Sequence, residues 1–535
     1  MSQQDNNSNQ SSNFLFNQNN ISQNNQENQI DSKFQNRQDE FTPDENFSKI
    51  KESTMSKELS LSETNRNKIF LQKRLHKKTN IETNISLFNS LSISKDIYNQ
   101  LTSEEIQPSD FQKIIKLFRS QNIGDKFKGL IGIRKLLSIE PIPPIQEIID
   151  LKLVPEIINL LENTPNEFKY EALWSLTNIA AGNEDQANTI LICGGLPKIL
   201  NLLDSNIEEI KTQSIWLVGN LVCDSSKIRD ALIEEKVFDK ILTILASTNN
   251  ENYINTSTWC ISNFFKKKPI PNYDISYKAF KIIARVITIC DSKNINNRID
   301  FLIDACFTFS VMTKNYEEFI KDIIDINLLP KIISFLDINN KFILLTCLRI
   351  IGNIALGNAN QTQKLIDLNA LEKLKYTLFN ESSSIRRESA FIISNIAAGT
   401  QKQIETLIDQ NFLQILYKIY RNDVPPVKNE IIFAIGNLTS VESELYLKKL
   451  IDDGILIIIF ECMKSDEVKN IIISLEALAN ILAFGKKKGE IKNFVNEIEK
   501  MGMFDILEKL QTHENEMIYE KTLQILDNYF DTEIC

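Results

Sequence analysis

One short pattern recurs down this chain: an aromatic residue, three intervening residues, then asparagine. It is clear first in EALWSLTNIAAG (171–182), where Trp174 precedes Asn178. It returns as Trp216 and Asn220 in IWLVGN and as Trp259 and Asn263 in TWCISN, which accounts for all three tryptophans. Later copies read Phe391 and Asn395 in FIISN, and Phe433 and Asn437 in FAIGN. In RIIGN and EALAN the first place is held by Arg349 and Glu476, ahead of Asn353 and Asn480. Successive asparagines are separated by 42, 43, 90, 42, 42 and 43 residues. The gap of 90 holds a degenerate copy, FTFSV, with Phe307 in the aromatic place and Val311 in the asparagine place. Phe307 follows Trp259 by 48, so this copy carries about six extra residues, assigned to 291–297.

A period near 42 in a helical sequence implies stacked helical units, each burying its apolar face against its neighbours. One unit gives the grammar. GGLPKILNLL (194–203) opens on glycines and carries apolar residues over one broad face, the mark of a buried helix. DSN interrupts it, and IEEIKTQSIWLVGNLV (207–222) forms a longer helix. A short helix, a helix and a long helix are the armadillo layout; HEAT units have two. The same order recurs at 326–336, 369–379, 411–420 and 453–463, with an earlier unit in FKGLIGIRKLLS (127–138) and a closing one in MGMFDILEKL and EMIYEKTLQILDNYF. The expected fold is all-α: a right-handed armadillo-repeat solenoid of about ten three-helix repeats spanning 109–535.

Ahead of it, residues 1–32 are rich in Asn, Gln and Ser and too poor in apolar groups to offset their conformational entropy, so disorder is expected. Residues 33–80 are modestly basic, with Lys49, Lys51, Lys73, Arg74, Lys77 and Lys78 among their cations. Residues 81–108 read as a linker closed by Pro108. The net charge of −10 argues against a general nucleic-acid binder and suits a cationic ligand. Eight scattered cysteines without a CxxC pair read as reduced core residues. The two histidines lie far apart, and the chain shows no phosphate loop, no metal-ligand cluster and no nucleophile with a base. No catalytic residue, metal or cofactor is expected. Nor does the sequence show a signal peptide or an apolar run long enough to cross a bilayer.

Residues at i and i+4 share a helix face, so each aromatic and its asparagine project together, and stacking turns the pairs into two parallel rows. An asparagine amide carries both donor and acceptor and can pair with the backbone of an extended peptide whatever its side chains. At roughly 8–10 Å between helices and about 3.3 Å per extended residue, one repeat covers about three peptide residues. Tryptophan rings suit long aliphatic stems that end in a cation, each contact contributing about 0.5–2 kcal/mol. Asp224 lies one turn beyond Asn220, and Asp304, Glu388 and Glu430 lie three residues before Phe307, Phe391 and Phe433. A single asparagine on such a helix is ordinarily structural, tying adjacent repeats. Seven in register favour a ligand ladder, because a recurring core asparagine is costly unless paired.

With these residues in view, 109–535 resembles the importin alpha (karyopherin alpha) family. WSLTNIAAGNEDQ, IWLVGNLVCDSSKIRD, TWCISNFFKKKPIP and RIIGNIALGNANQTQ are similar to consecutive family repeats, and QTHENEMIYEKTLQILDNYF is similar to the last one. The resemblance implies a nuclear import adaptor shuttling between cytoplasm and nucleus. Its partners would be cargo with basic nuclear-localisation signals, importin beta, and a CAS-type exportin at the C-terminal repeat, with no membrane or direct nucleic-acid contact. It implies a major site of Trp174, Asn178, Gly182, Trp216, Asn220, Asp224, Trp259, Asn263 and Asp304. A minor site would use Arg349, Asn353, Glu388, Phe391, Asn395, Glu430, Phe433 and Asn437, with Phe391 and Phe433 replacing the family's tryptophans and weakening cation binding there. Residues 33–80 would bind importin beta and, when free, occupy the chain's own groove, although the family's upstream arginine cluster is reduced here to SKIK. The competing expectation is an armadillo scaffold that binds an extended basic partner outside nuclear transport.

Overall fold

The computed structural model describes residues 95–139, 142–223, 225–290 and 298–530. Among them every regular element is helical. They divide into two compact units, 95–319 and 320–530, the boundary falling within helix Glu318–Asp325. The tail 1–32, the segment 33–80 and the insert 291–297 lie outside the described residues.

The first unit is built on five long helices, Ile123–Leu136, Asn166–Ala180, Glu208–Cys223, Glu251–Phe264 and Ile299–Asn315, each packed on the next. The second has Lys341–Ala355, Ser383–Ala397, Pro425–Leu438, Val468–Lys488 and Glu516–Tyr529, packed in the same way. These are the third helices of ten repeats. Each is buried on more than one side, which explains why their apolar residues do not fall on one narrow stripe. In Asn166–Ala180, for instance, Phe168, Ala172, Leu173, Leu176 and Ile179 are all at or below 2% exposure.

The shorter helices turn on local chemistry. Asn183, Asn358 and Thr400 open first helices with capping boxes to Gln186, Gln361 and Gln403, which satisfy backbone N–H groups that a helix start leaves free. First and second helices meet at one left-handed residue: Gly194, Gly454 and Gly502, asparagine at 327, 369 and 411, and lysine at 152 and 236. Glycine and asparagine tolerate that conformation; lysine does not favour it.

Three features differ from the sequence expectation. The stretch read as a linker carries helix Lys95–Ser103, whose Tyr98 is buried at 3% exposure. Among the described residues the first repeat has only the α-helices Phe111–Phe118 and Ile123–Leu136, and the fifth repeat has two α-helices, Tyr273–Thr288 and Ile299–Asn315. Pro269 and Pro271 stand where its first helix would lie, and proline lacks the N–H a helix needs. The buried Arg229 secures that loop, donating from Nη1 to the carbonyls of Lys267 (2.7 Å) and Pro269 (2.6 Å). Finally, Val468–Lys488 is long and apolar enough to cross a membrane by length and composition, despite Lys469 and Glu476 within it. Half of its apolar window is buried against neighbouring helices, as a core helix requires.

Candidate functional site

Trp174 and Asn178 lie on Asn166–Ala180, Trp216 and Asn220 on Glu208–Cys223, and Trp259 and Asn263 on Glu251–Phe264. These helices are consecutive neighbours, so the three pairs stand in register across the first unit. Each asparagine donates from Nδ2 to the preceding repeat. Asn178 Nδ2 donates to Ser138 Oγ, Asn220 to the Thr177 carbonyl and Asn263 to the Gly219 carbonyl, each at 2.9 Å. The structural and ligand readings are therefore not exclusive: the amide nitrogen ties the repeats and fixes the orientation of the amide. Asn220 is half-buried, whereas Asn178 and Asn263 are buried. Asn263 Oδ1 has no hydrogen-bond partner. Gln213, on the same helix as Asn220, adds a further tie from Nε2 to Thr177 Oγ1 at 2.8 Å.

The rings are set by glycine as much as by tryptophan. A Cβ on Gly219 would lie 2.3 Å from Trp259 Cζ3, so only glycine lets that ring lie across the preceding helix. Trp259 is consequently 9% exposed and meets Trp216 edge-on, with ring centroids 5.9 Å apart. A methylene stem sandwiched between two rings needs roughly 7–8 Å, twice a carbon–carbon contact. This pair therefore forms no slot between its rings, and Trp216, half-buried, is the more exposed ring of the two. Trp174 is half-buried; Tyr170 meets it edge-on at 5.9 Å, and the Arg134 guanidinium lies 4.4 Å from its centroid. Gly182 makes room for the capping-box glutamine, since its Cβ would lie 2.2 Å from Gln186 Oε1; Gly357 and Gly399 do the same for Gln361 and Gln403.

The expected acids have mixed fates. Asp224 lies outside the described residues. Asp304 is 1% exposed and accepts from Ser262 Oγ at 3.2 Å, so it does not lie on the surface a ligand meets.

In the second unit Arg349 and Asn353 lie on Lys341–Ala355, Glu388, Phe391 and Asn395 on Ser383–Ala397, and Glu430, Phe433 and Asn437 on Pro425–Leu438. Asn437 Nδ2 donates to the Ser394 carbonyl at 2.9 Å, repeating the inter-repeat tie, and Asn480 does so to Thr439 Oγ1 at 3.0 Å. Asn395 departs from it, donating to the Phe391 carbonyl of its own helix at 2.9 Å. Phe391, Phe433, Asn353 and Glu430 are half-buried. Glu388 already has cations beside it: Arg387 Nη2 at 3.1 Å and Arg349 Nε at 3.7 Å. The cations of the N-terminal segment (Lys49, Lys51, Lys73, Arg74, Lys77 and Lys78) lie outside the described residues.

Sequence reasoning missed Glu171. It stands three before Trp174, the spacing that singled out Asp304, Glu388 and Glu430, and it is fully buried against Arg134, whose Nε donates to its Oε2 at 2.7 Å. Among the described residues no three His, Cys, Asp or Glu side chains come together as a metal site needs. The buried cysteines are core thiols: burial pushes Cys260 well up and Cys462 up to about 12.

Five third helices in each unit, each packed on the next, define an armadillo-repeat protein. The armadillo/beta-catenin-like repeat family matches residues 141–181 and 183–223, and the atypical armadillo repeat matches 492–534. An engineered protein of known crystal structure shares the fold over 79% of this chain and 99% of its own, with a TM-score of 0.67 at 21% identity. Importin subunit alpha-B of Dictyostelium discoideum is 40% identical over 431 residues, covering 78% of this chain and 81% of that protein. Importin subunit alpha-3 of Arabidopsis thaliana is 32% identical over 77% and 78% of the two chains, and importin subunit alpha-1b of Oryza sativa subsp. japonica is 30% identical over 78% of each. The chain belongs to the importin alpha family, whose members are non-enzymatic adaptors of nuclear import.

Proposed function

We propose that the ladder binds an extended lysine- and arginine-rich segment, the nuclear-localisation signal of a cargo protein, and that residues 33–80 link the loaded chain to importin beta. The observation that carries this reading is the register of Trp174/Asn178, Trp216/Asn220 and Trp259/Asn263 on three neighbouring helices. Each amide is already held by inter-repeat hydrogen bonding and so need not be ordered when a ligand arrives, which lowers the entropic cost of binding. Trp216 takes an aliphatic stem on its ring, Asn220 pairs with the peptide backbone, and Asp224 takes the ammonium.

The second cluster, Arg349 to Asn437, is the weaker site. Phenylalanine is a poorer cation–π partner than tryptophan, and a ligand cation at Glu388 must compete with Arg349 and Arg387. Two sites on one chain let a two-part signal gain through effective concentration. Shuttling between cytoplasm and nucleus follows, with return by a CAS-type exportin engaging the C-terminal repeat.

The test is binding of a fluorescent lysine-rich nuclear-localisation peptide to residues 81–535, beside the Asp224→Lys variant. The expected result is tight binding that the variant loses. Equal binding by both would remove Asp224 from the site, and absence of binding would overturn the reading. Retention of importin beta by residues 33–80 alone, at low salt, checks the second partner.

A further inference from the structure

Beneath Trp174 lies a buried polar chain that the ladder itself does not require. Tyr98, on helix Lys95–Ser103, donates its hydroxyl to Glu171 Oε1 at 2.5 Å. Glu171 Oε2 accepts from Arg134 Nε at 2.7 Å, and the guanidinium lies 4.4 Å from the Trp174 ring centroid. The three polar side chains are nearly inaccessible, at 3%, 0% and 5% exposure. Burial and the neighbouring carboxylate push the Tyr98 hydroxyl well up, so it remains a donor.

A buried ion pair is costly unless its remaining lone pairs are satisfied. Tyr98 satisfies the carboxylate oxygen that Arg134 Nε leaves free. With both oxygens held, the guanidinium is fixed, and its place 4.4 Å from the ring centroid bounds one side of the indole. Tyr170 bounds the ring from another side, edge-on at 5.9 Å. The protein's own cation thus lies over Trp174, and a ligand lysine cannot also sit where that guanidinium does.

Helix Lys95–Ser103 is docked by more than Tyr98. Lys135 Nζ donates to the carbonyls of Leu101 (2.7 Å) and Glu104 (2.5 Å), filling acceptors that a helix end leaves free. The Tyr98 ring stacks on Phe127 at 6.2 Å, and Phe127 packs on Phe168 at 4.8 Å.

We propose that Tyr98 is a positioning residue for Trp174, acting through Glu171 and Arg134, so that affinity at the first rung of the ladder depends on a helix outside the repeats. The ligand half of this inference rests on the peptide-binding reading above; the positioning half does not.

The experiment uses the full chain. In a background of Trp216→Phe and Trp259→Phe, Trp174 is the sole tryptophan, and acrylamide quenching of its emission reports the ring without any ligand. Tyr98→Phe should raise the quenching constant by about half or more. In the otherwise native chain, Tyr98→Phe should weaken binding of a fluorescein-labelled peptide with five consecutive lysines by about three- to tenfold. It should add nothing further when Trp174→Ala is already present. Unchanged quenching, or losses that multiply in the double variant, would overturn the proposal, as would a lower Tm with unaltered affinity. Changed quenching in a chain that binds no peptide would sink the peptide-binding reading and leave the positioning intact.

Discussion

Asparagine in the recurring motif does two jobs with one amide, and the residue before it is often what decides the geometry. In IWLVGN the glycine admits the next repeat's ring; in FAIGN, Gly436 does the same for Ile473, whose Cγ2 would lie 2.4 Å from an added Cβ. Gly219→Ala should therefore cost about 1–3 kcal/mol in urea denaturation, because the Trp259 ring is packed and cannot retreat. Gly182→Ala should cost about 1 kcal/mol or less. The atom its Cβ meets is the end of a flexible glutamine, and the loss is a capping hydrogen bond. The register of Trp and Asn was legible in the sequence because i, i+4 spacing is local. The carbonyls that Asn220 and Asn263 bind lie 43 and 44 residues back and are fixed only by stacking. Glu171 obeyed the acid-before-aromatic spacing and still escaped, since its partner Arg134 is 37 residues away.

At the scale of elements, the turn between first and second helices uses the left-handed conformation in every repeat that has both, including at two lysines. Lys236 is exposed, with φ of 62°. Lys236→Gly should raise stability by roughly 0.5–1 kcal/mol, the relief of strain exceeding the added unfolded-state entropy, as measured by urea denaturation. Elements are also tied by ion pairs. Arg386 Nε and Nη2 donate to the two Asp423 oxygens at 2.6 and 2.7 Å. Burial raises the Asp423 carboxyl, but hydrogen bonds from Arg386 and the Val424 N–H outweigh it and hold the group below its ordinary value. A depressed carboxyl contributes stability above the unfolded-state value near 3.9 and loses it as pH falls through the folded value. Asp423→Asn should thus cost about 2 kcal/mol at pH 7, and the gap should narrow below about pH 4. The long helices were legible because their apolar residues recur at helical spacing. Helix Lys95–Ser103 was not: its sequence is polar, and its order comes from Glu171 and Lys135, 73 and 34 residues away from the groups they hold.

For the whole molecule, a period of 42 was enough to fix the class of fold, because a unit that buries its face only on neighbours must stack. What the period could not reveal was the cost of irregularity, seen in the proline loop of the fifth repeat and its Arg229 clasp. The chain's net charge of −10 attracts a cationic ligand beyond the contacts themselves. Peptide affinity should fall about tenfold between 0.05 and 0.5 M salt, as the screening length shrinks. The central claim is that one helix face repeated along the chain reads a basic peptide, and one titration tests it directly. A labelled lysine-rich peptide is titrated into residues 81–535 and into the same chain carrying Trp216→Ala and Asn220→Ala, with helicity compared in parallel. The account predicts unchanged helicity and affinity weakened by about tenfold or more. Equal affinity in two equally folded proteins would contradict it.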